Sequence, residues 1–358
     1  ALDQTMAEPE IIPNKKKELE DVYAPFDNQE ILPEKLQNRE IRFIDAISEA
    51  IEISMKNHPN LVLMGQDIAE YGGAFKITEG FVEKFGKKRV RNTPLCEAAI
   101  VGSGLGLSIN CYKSMVEMQF ADFVTEGFNQ IINNLAKTHY RWNQNADVVV
   151  RMPTGAGTGA GPFHSQSNEA WFTKTPGLKI AYPAFPDDAK GLLIQSFEDP
   201  NPVLFFEHKK LYRSLKGNVP EGFYTTPFGK ARKVKEGNEL TIITYGLGVH
   251  IALEFAEKNP EISLEIVDLR TLIPLDTETI YESVKKCNKV IILHEDTLTC
   301  GFGAELSALI SEHCFEDLDA PILRIASMDT PIPFNKKLED QFMPNEELAE
   351  AVEKILKY

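Results

Sequence analysis

Thr93-Pro94-Leu95-Cys96-Glu97-Ala98-Ala99-Ile100-Val101-Gly102-Ser103-Gly104-Leu105-Gly106 takes the chain from an extended segment into a helix built of small side chains. A helix without bulk lets another backbone or a flat ligand come close. The turn into it sets one carboxylate, Glu97, in the first helical turn. There it serves either as a catalytic group or as a charge favouring the helix dipole. With the strand-like run Ser114 to Gln119 that follows, the stretch reads as helix then strand, and the fold depends on whether that alternation recurs.

It recurs along the chain. Upstream, an amphipathic helix with apolar Phe43, Ile44, Ile47, Ala50 and Ile51 leads into the short strand Leu61-Val62-Leu63-Met64. Downstream, strand-like runs at Asp147 to Met152, Leu178 to Tyr182 and Pro202 to Phe206 alternate with helical periodicity at 124–139 and 186–197. Residues 208–238, rich in Lys, Gly and Pro, interrupt the pattern. It restarts with strand Leu240 to Gly246, helix Val249 to Lys258, strand Leu264 to Val267, a helix from Thr277, strand Val290 to Leu293, helix Gly303 to His313, strand Ile322 to Ile325 and a closing helix Glu346 to Leu356. The expected fold is α/β: two consecutive, mainly parallel sheets covered by helices. Residues 1–39 read as an extended or partly helical linker, 40–207 as the first unit, 208–238 as the break, and 226–358 as the second unit.

The 358 residues are 43% hydrophobic and 25% charged, ordinary globular composition with length for two cores. A formal net charge of −15, with no long segment in which Lys and Arg are in excess, argues against a nucleic-acid or anionic-membrane surface. Cys96, Cys111, Cys287, Cys300 and Cys314 form no C-x-x-C pair and lack a His cluster at zinc spacing; they read as reduced thiols of a cytoplasmic protein. No apolar run approaches the roughly 18 residues of a membrane span, and no secretory leader is recognisable.

A second candidate is Phe163-His164-Ser165-Gln166-Ser167, which follows a strand and the loop Thr154-Gly155-Ala156-Gly157-Thr158-Gly159-Ala160-Gly161. Ligands of open α/β sheets sit off the carboxyl ends of strands, where His164 lies, although a lone loop histidine is also a common surface residue. The glycines fit G-x-G-x-x-[G/A], but Pro162 and the polar residues after it interrupt the helix a dinucleotide needs, so nicotinamide binding is not expected. A third candidate, Glu117-Met118-Gln119-Phe120-Ala121-Asp122-Phe123, ends a strand. Phe120 reads as core and Asp122 as the cap of the next helix, whereas Gln119 and Phe123 read equally as ligand contacts.

Five blocks occur in one order: 86–97 (Gly86 to Glu97), 119–123 (Gln119 to Phe123), 164–167 (His164 to Ser167), 176–179 (Pro176 to Lys179) and 267–276 (Val267 to Asp276). Together, from about residue 40 to the end, they resemble the β subunit of the thiamine-diphosphate-dependent 2-oxoacid dehydrogenases, in the transketolase superfamily. Leu95-Cys96-Glu97, the Gln119 block and Leu211-Tyr212-Arg213 resemble the branched-chain (2-oxoisovalerate) enzymes most, with pyruvate and acetoin dehydrogenases as alternatives. The resemblance implies a pyrimidine-binding domain followed by a transketolase C-terminal-type domain.

It also implies roles. Glu97 becomes the acid that hydrogen-bonds the pyrimidine ring nitrogen of thiamine diphosphate and favours its imino tautomer. Leu95, Gln119 and Phe123 become cofactor contacts, Phe123 standing where the family often has Tyr. His164 becomes the histidine that assists acyl transfer to the lipoyl group. Gln66 stands where relatives commonly carry Glu, which puts a proton-wire role there in doubt. A structural potassium site maps onto Val148, Ser196, Asp199 and Asn201, with a water-filled, capped helix end as the alternative.

The G-D-G…N signature that holds magnesium and diphosphate in thiamine enzymes does not occur in this sequence. The resemblance therefore implies a separate α subunit that supplies it, an α2β2 assembly with a second β chain, and a lipoyl transacylase partner docked on the second domain. Ala7-Glu8-Pro9 and Glu18 to Ala24 resemble the end of an α subunit, which implies the C-terminal part of a fused α–β polypeptide. The reading from a different class is a non-catalytic scaffold of the same fold; Glu97 and His164, both retained, speak against it.

Overall fold

The structure is a computed structural model that describes residues 2–34 and 37–358. In chain order the strands of the described residues are β1 Asn38–Arg42, β2 Leu61–Gly65, β3 Val90–Asn92, β4 Lys113–Glu117, β5 Val148–Thr154, β6 Lys179–Ala181, β7 Val203–His208, β8 Lys216–Pro220, β9 Arg232–Lys235, β10 Leu240–Thr244, β11 Leu264–Asp268, β12 Thr271–Ile273, β13 Val290–Thr297 and β14 Leu323–Ser327. A seven-stranded sheet runs β12-β6-β7-β5-β4-β2-β3 and a five-stranded sheet β14-β13-β10-β11-β9. Within each, all pairs are parallel except the edge pairs β12–β6 and β11–β9. The two α/β units are as expected.

Strand alternation sorts the core into layers. Leu61, Leu63, Val149, Val203 and Phe205 point into one apolar layer, while Val62, Met64, Val148, Val150, Leu204 and Phe206 point into the other. Both layers continue into the second unit through Ile242 and Ile291 on one side and Ile243 and Ile292 on the other. Strands apolar on both faces need helices on both, and the crossover helices Phe43–Asn57, Glu97–Ile109 and Pro186–Glu198 provide them.

Three places differ from the sequence expectation. The break at 208–238 carries structure: β8 pairs antiparallel with β1, and β9 forms the edge of the second sheet. The stretch 1–39 is not only a linker, since Asn28 donates to the Phe228 carbonyl at 2.7 Å and Ala24 is buried against Asn201. Thr271–Ile273, in the second unit by sequence, closes the edge of the first sheet against β6. The three short strands escaped a periodicity argument because segments of three to five residues offer too few repeats, and the contacts of Ala24 and Asn28 are made by irregular chain that has no period.

The helix after Phe123 runs from Val124 to Trp142, longer than expected, with a wider π turn over Gln130–Leu135. None of the described helices is long and apolar enough to cross a membrane. All five cysteines are free thiols.

Candidate active site

The parallel strands of the larger sheet point their carboxyl ends to one edge, and the candidate residues gather there. β2 and β4 are neighbours in register, so Gln66 and Gln119, just past their ends, share this edge. Glu97 opens the small-residue helix, and its carbonyl lies 3.5 Å from where a Cβ on Gly127 would sit, which lets the helix beginning at Val124 pack closely. The Glu97 carboxylate is buried and accepts from Gln66 Nε2 at 2.9 Å on Oε1. No other side chain among the described residues hydrogen-bonds it, so Oε2 remains to accept from or donate to a ligand.

His164 is wedged edge-on between Phe120 and Phe123, with ring centroids 4.8 and 5.5 Å away. Phe75 continues the cluster, 5.6 Å from Phe120 and 5.1 Å from Tyr212. Phe120 is thus half-exposed at the site and not the core residue expected. Asp122 does not cap the next helix either: Oδ1 accepts from the Gln166 backbone N–H at 3.2 Å and from Gln166 Nε2 at 2.9 Å, tying the His164 loop to the Phe123 turn. The reason is tertiary: the fold brings the Gln166 backbone N–H and amide to this carboxylate from 44 positions along the chain.

Below the ring cluster lies a fully buried guanidinium. Arg151 bridges Glu117 and Glu207, with Nη2 donating to Glu207 Oε2 at 2.6 Å, and Tyr212 O–H donates to the same oxygen at 2.6 Å. Burial pushes the Glu117 carboxyl above its ordinary range, with Arg151 opposing. Lys209, at the end of β7, donates to the Gly155 carbonyl at 2.6 Å, and burial brings its ammonium down to about 8.

The glycine loop gives no seat to a diphosphate. Its amides at Ala156, Gly157 and Gly159 already donate to Glu295 and Glu339 of the second unit. Burial alone would raise the Glu295 carboxyl, but His208 and the Ala156 amide outweigh it and hold it below the usual range. A diphosphate in this loop would have to displace the two carboxylates. Among the described residues, no group of three or more His, Cys, Asp or Glu is placed to hold a metal ion.

The remaining expected residues lie apart. Leu95 is 80% exposed two residues before Glu97. Val148, Ser196, Asp199 and Asn201 sit at the opposite edge, where β5 and β7 begin. There the Asp199 carboxylate takes the Lys179 ammonium and both Asn201 donors, Ser196 Oγ donates to the Leu192 carbonyl at 2.7 Å, and Asn201 Oδ1 accepts from the Ala24 N–H at 2.7 Å. Among main-chain carbonyls open to a cation, Ser196 offers one, because Pro200, four residues on, has no N–H to give it.

Sequence reasoning missed Arg151, Glu207, Glu295 and Glu339. The first three carried a signal, a charge within or at the end of an apolar strand run; Glu339 carried none.

Residues 39–214 match the transketolase pyrimidine-binding domain and residues 229–348 the transketolase C-terminal domain. The chain is 47% identical to the 2-oxoisovalerate dehydrogenase subunit beta of Bacillus subtilis (strain 168) over 86% of this chain and 96% of that protein. It is 39% identical to the pyruvate dehydrogenase E1 component subunit beta of the same organism, over 89% of this chain and 99% of that one. Among solved structures, a split-gene transketolase described as an inactive beta4 tetramer superimposes with a TM-score of 0.70 at 23% identity, covering 88% of this chain and 99% of that chain, which shows the fold.

Proposed function

This chain belongs to the β subunits of the 2-oxoacid dehydrogenases, and on that premise we propose that, with an α partner, it decarboxylates a branched-chain 2-oxoacid and passes the acyl group to the lipoyl group of a transacylase. The carrying observation is the placement of a buried carboxylate, fixed on one oxygen by Gln66 at 2.9 Å, at the same sheet edge as an aromatic wall and a histidine.

Thiamine diphosphate, when bound, supplies the carbanion stabilisation that loss of carbon dioxide from a 2-oxoacid requires. Glu97 is proposed to hold the pyrimidine ring nitrogen through Oε2 while Gln66 keeps Oε1 in place. Phe123 and Gln119 flank that ring, and the exposed Leu95 covers it at the α–β boundary. His164, kept edge-on by Phe120 and Phe123, holds or delivers the proton during acyl transfer. Magnesium and diphosphate fall to the α partner, an assignment supported by the glycine loop whose amides are already spent. We further propose an α2β2 assembly, a cytoplasmic location, and a potassium ion held by main-chain carbonyls at Val148, Ser196, Asp199 and Asn201.

The experiment is 2-oxoacid-dependent reduction of an artificial electron acceptor, with thiamine diphosphate and magnesium, by the complex with its α partner. Glu97→Gln should lower turnover about 10²–10⁴-fold. An unchanged rate in a correctly assembled complex would leave the scaffold reading. Faster turnover of pyruvate than of 2-oxoisovalerate would keep the mechanism and change the substrate.

A further inference from the structure

The loop from Gly155 to Ser167 presents His164 from the first unit; Lys209 and Asp122 hold its two ends at Gly155 and Gln166, but the glycine run between them is held from the second unit. Gly155, Gly157, Gly159 and Gly161 all have positive φ, between 71° and 92°. Left-handed residues alternating with ordinary ones turn successive N–H groups to one side and create a concave seat for an anion. The anion in that seat is a side chain of the protein itself. Glu339, from the helix Lys336–Phe342, is buried; Oε1 accepts from Gly157 N–H at 2.8 Å and both oxygens accept from Gly159 N–H, at 3.1 and 3.0 Å. Phe334, just before that helix, lies where a Cβ on Gly161 would have to go. Glu295, at the end of β13, accepts from Ala156 N–H at 2.6 Å and from Ser167 Oγ at 3.3 Å, so one carboxylate spans both ends of the loop.

We propose that Glu339 is a positioning residue for acyl transfer, through which the second unit sets the loop that presents His164. The inference rests on the proposed role of His164. A segment with four glycines in left-handed conformations has little conformational preference of its own. Its shape comes from the carboxylates that fill it. Glu295 is also engaged with His208, whereas the glycine amides are the hydrogen-bond partners of the Glu339 side chain among the described residues. Misplacement of a catalytic group by about 1 Å costs on the order of 10²-fold in rate. Decarboxylation, which depends on Glu97 on a different element, should be spared relative to acyl transfer.

The test uses the complex with its α partner, thiamine diphosphate and magnesium, and compares two rates: dye reduction by 2-oxoisovalerate and acylation of an isolated lipoyl domain. Glu339→Ala should lower lipoyl acylation at least tenfold more than it lowers dye reduction, and Glu339→Gln, which retains one acceptor oxygen, should recover part of the loss. In the complex without cofactor, amide hydrogen exchange across 155–161 should accelerate in Glu339→Ala, with exchange in β2 and β4 unchanged. His164→Ala is run in parallel. If it leaves the ratio of rates unchanged, the reading of His164 fails and this inference with it. If it lowers the ratio while Glu339→Ala does not, only this inference fails. Equal loss of both rates in Glu339→Ala makes Glu339 merely structural and overturns the proposal.

Discussion

Gln66 donates its side-chain amide to Glu97 Oε1 at 2.9 Å, and both side chains are buried. An amide donates at every pH and carries no charge, so it fixes the carboxylate without competing for its proton.

Gln66→Glu tests this relationship. A second carboxyl can donate to Glu97 only when protonated, and two carboxylates at this spacing cannot both ionise cheaply. The pair's folded-state pKa is then raised above the unfolded value near 4.3. The contact is retained at low pH and lost as pH rises through the raised value. The deficit in melting temperature against the parent should therefore grow between pH 5 and pH 8. A deficit that does not change with pH would show that the amide's role is packing.

Arg151 makes the strongest stability prediction. Arg151→Met leaves Glu117 and Glu207 facing each other in the interior, and breaking a buried pair by removing one partner costs about 3–5 kcal/mol. Glu117, already raised by burial, loses the group that opposes the rise. The raised carboxyl makes the variant weaker as pH increases, so its deficit in urea unfolding should shrink from pH 8 to pH 5. Because Tyr212 hangs on Glu207 and packs on Phe75, the wall around His164 should loosen too, read as increased exchange of the Phe120–Phe123 amides.

Most strands and helices longer than about five residues were legible, the helix Lys336–Phe342 excepted, because burial on one or both faces writes apolar patterns such as Val148–Val150 and Ile291–Leu293. Glu97 was legible because a helix start exposes one carboxylate beside glycines and alanines. His164 was found by its loop and Phe123 as a candidate contact, but the roles of Phe120 and Asp122 were not: they are an ordinary aromatic and an ordinary cap until the fold turns them toward residues more than 40 positions away. Glu295 and Glu339 reach the glycine loop across more than 130 residues, a separation no local pattern encodes. The same holds for β12, which leaves its own unit to pair with β6.

Gly177 is a third test, inside the Pro176–Lys179 block. It has φ +96°, and a Cβ there would overlap the Ala136 carbonyl where the π turn ends. Gly177→Ala should cost more than the roughly 1–3 kcal/mol of a strained backbone conformation. Gly222, with φ +79° and open space around it, isolates the difference. Gly222→Ala should show the backbone cost alone, and equal melting temperatures for the two variants would rule out the close approach at Ala136.

Asp268 ends β11 fully buried, next to a network that joins the two units: Arg270 Nη2 meets Asp188 Oδ1 at 2.7 Å and Arg232 meets Asp188 Oδ2 at 2.9 Å. Burial first, and the nearby Asp188 second, raise the Asp268 carboxyl to about 7. A raised carboxyl binds its proton more tightly in the folded state. The stability it contributes is complete below its unfolded value near 3.9 and is lost as pH rises to about 7, at a slope of at most about 1.4 kcal/mol per pH unit. Asp268→Asn removes that slope while keeping an acceptor for the Arg270 N–H, which donates to Oδ1 at 3.0 Å. The parent should therefore lose melting temperature relative to the variant between pH 5 and pH 7.5, with the curves parallel at higher pH. Parallel curves across the whole range would show that Asp268 does not take up a proton on folding.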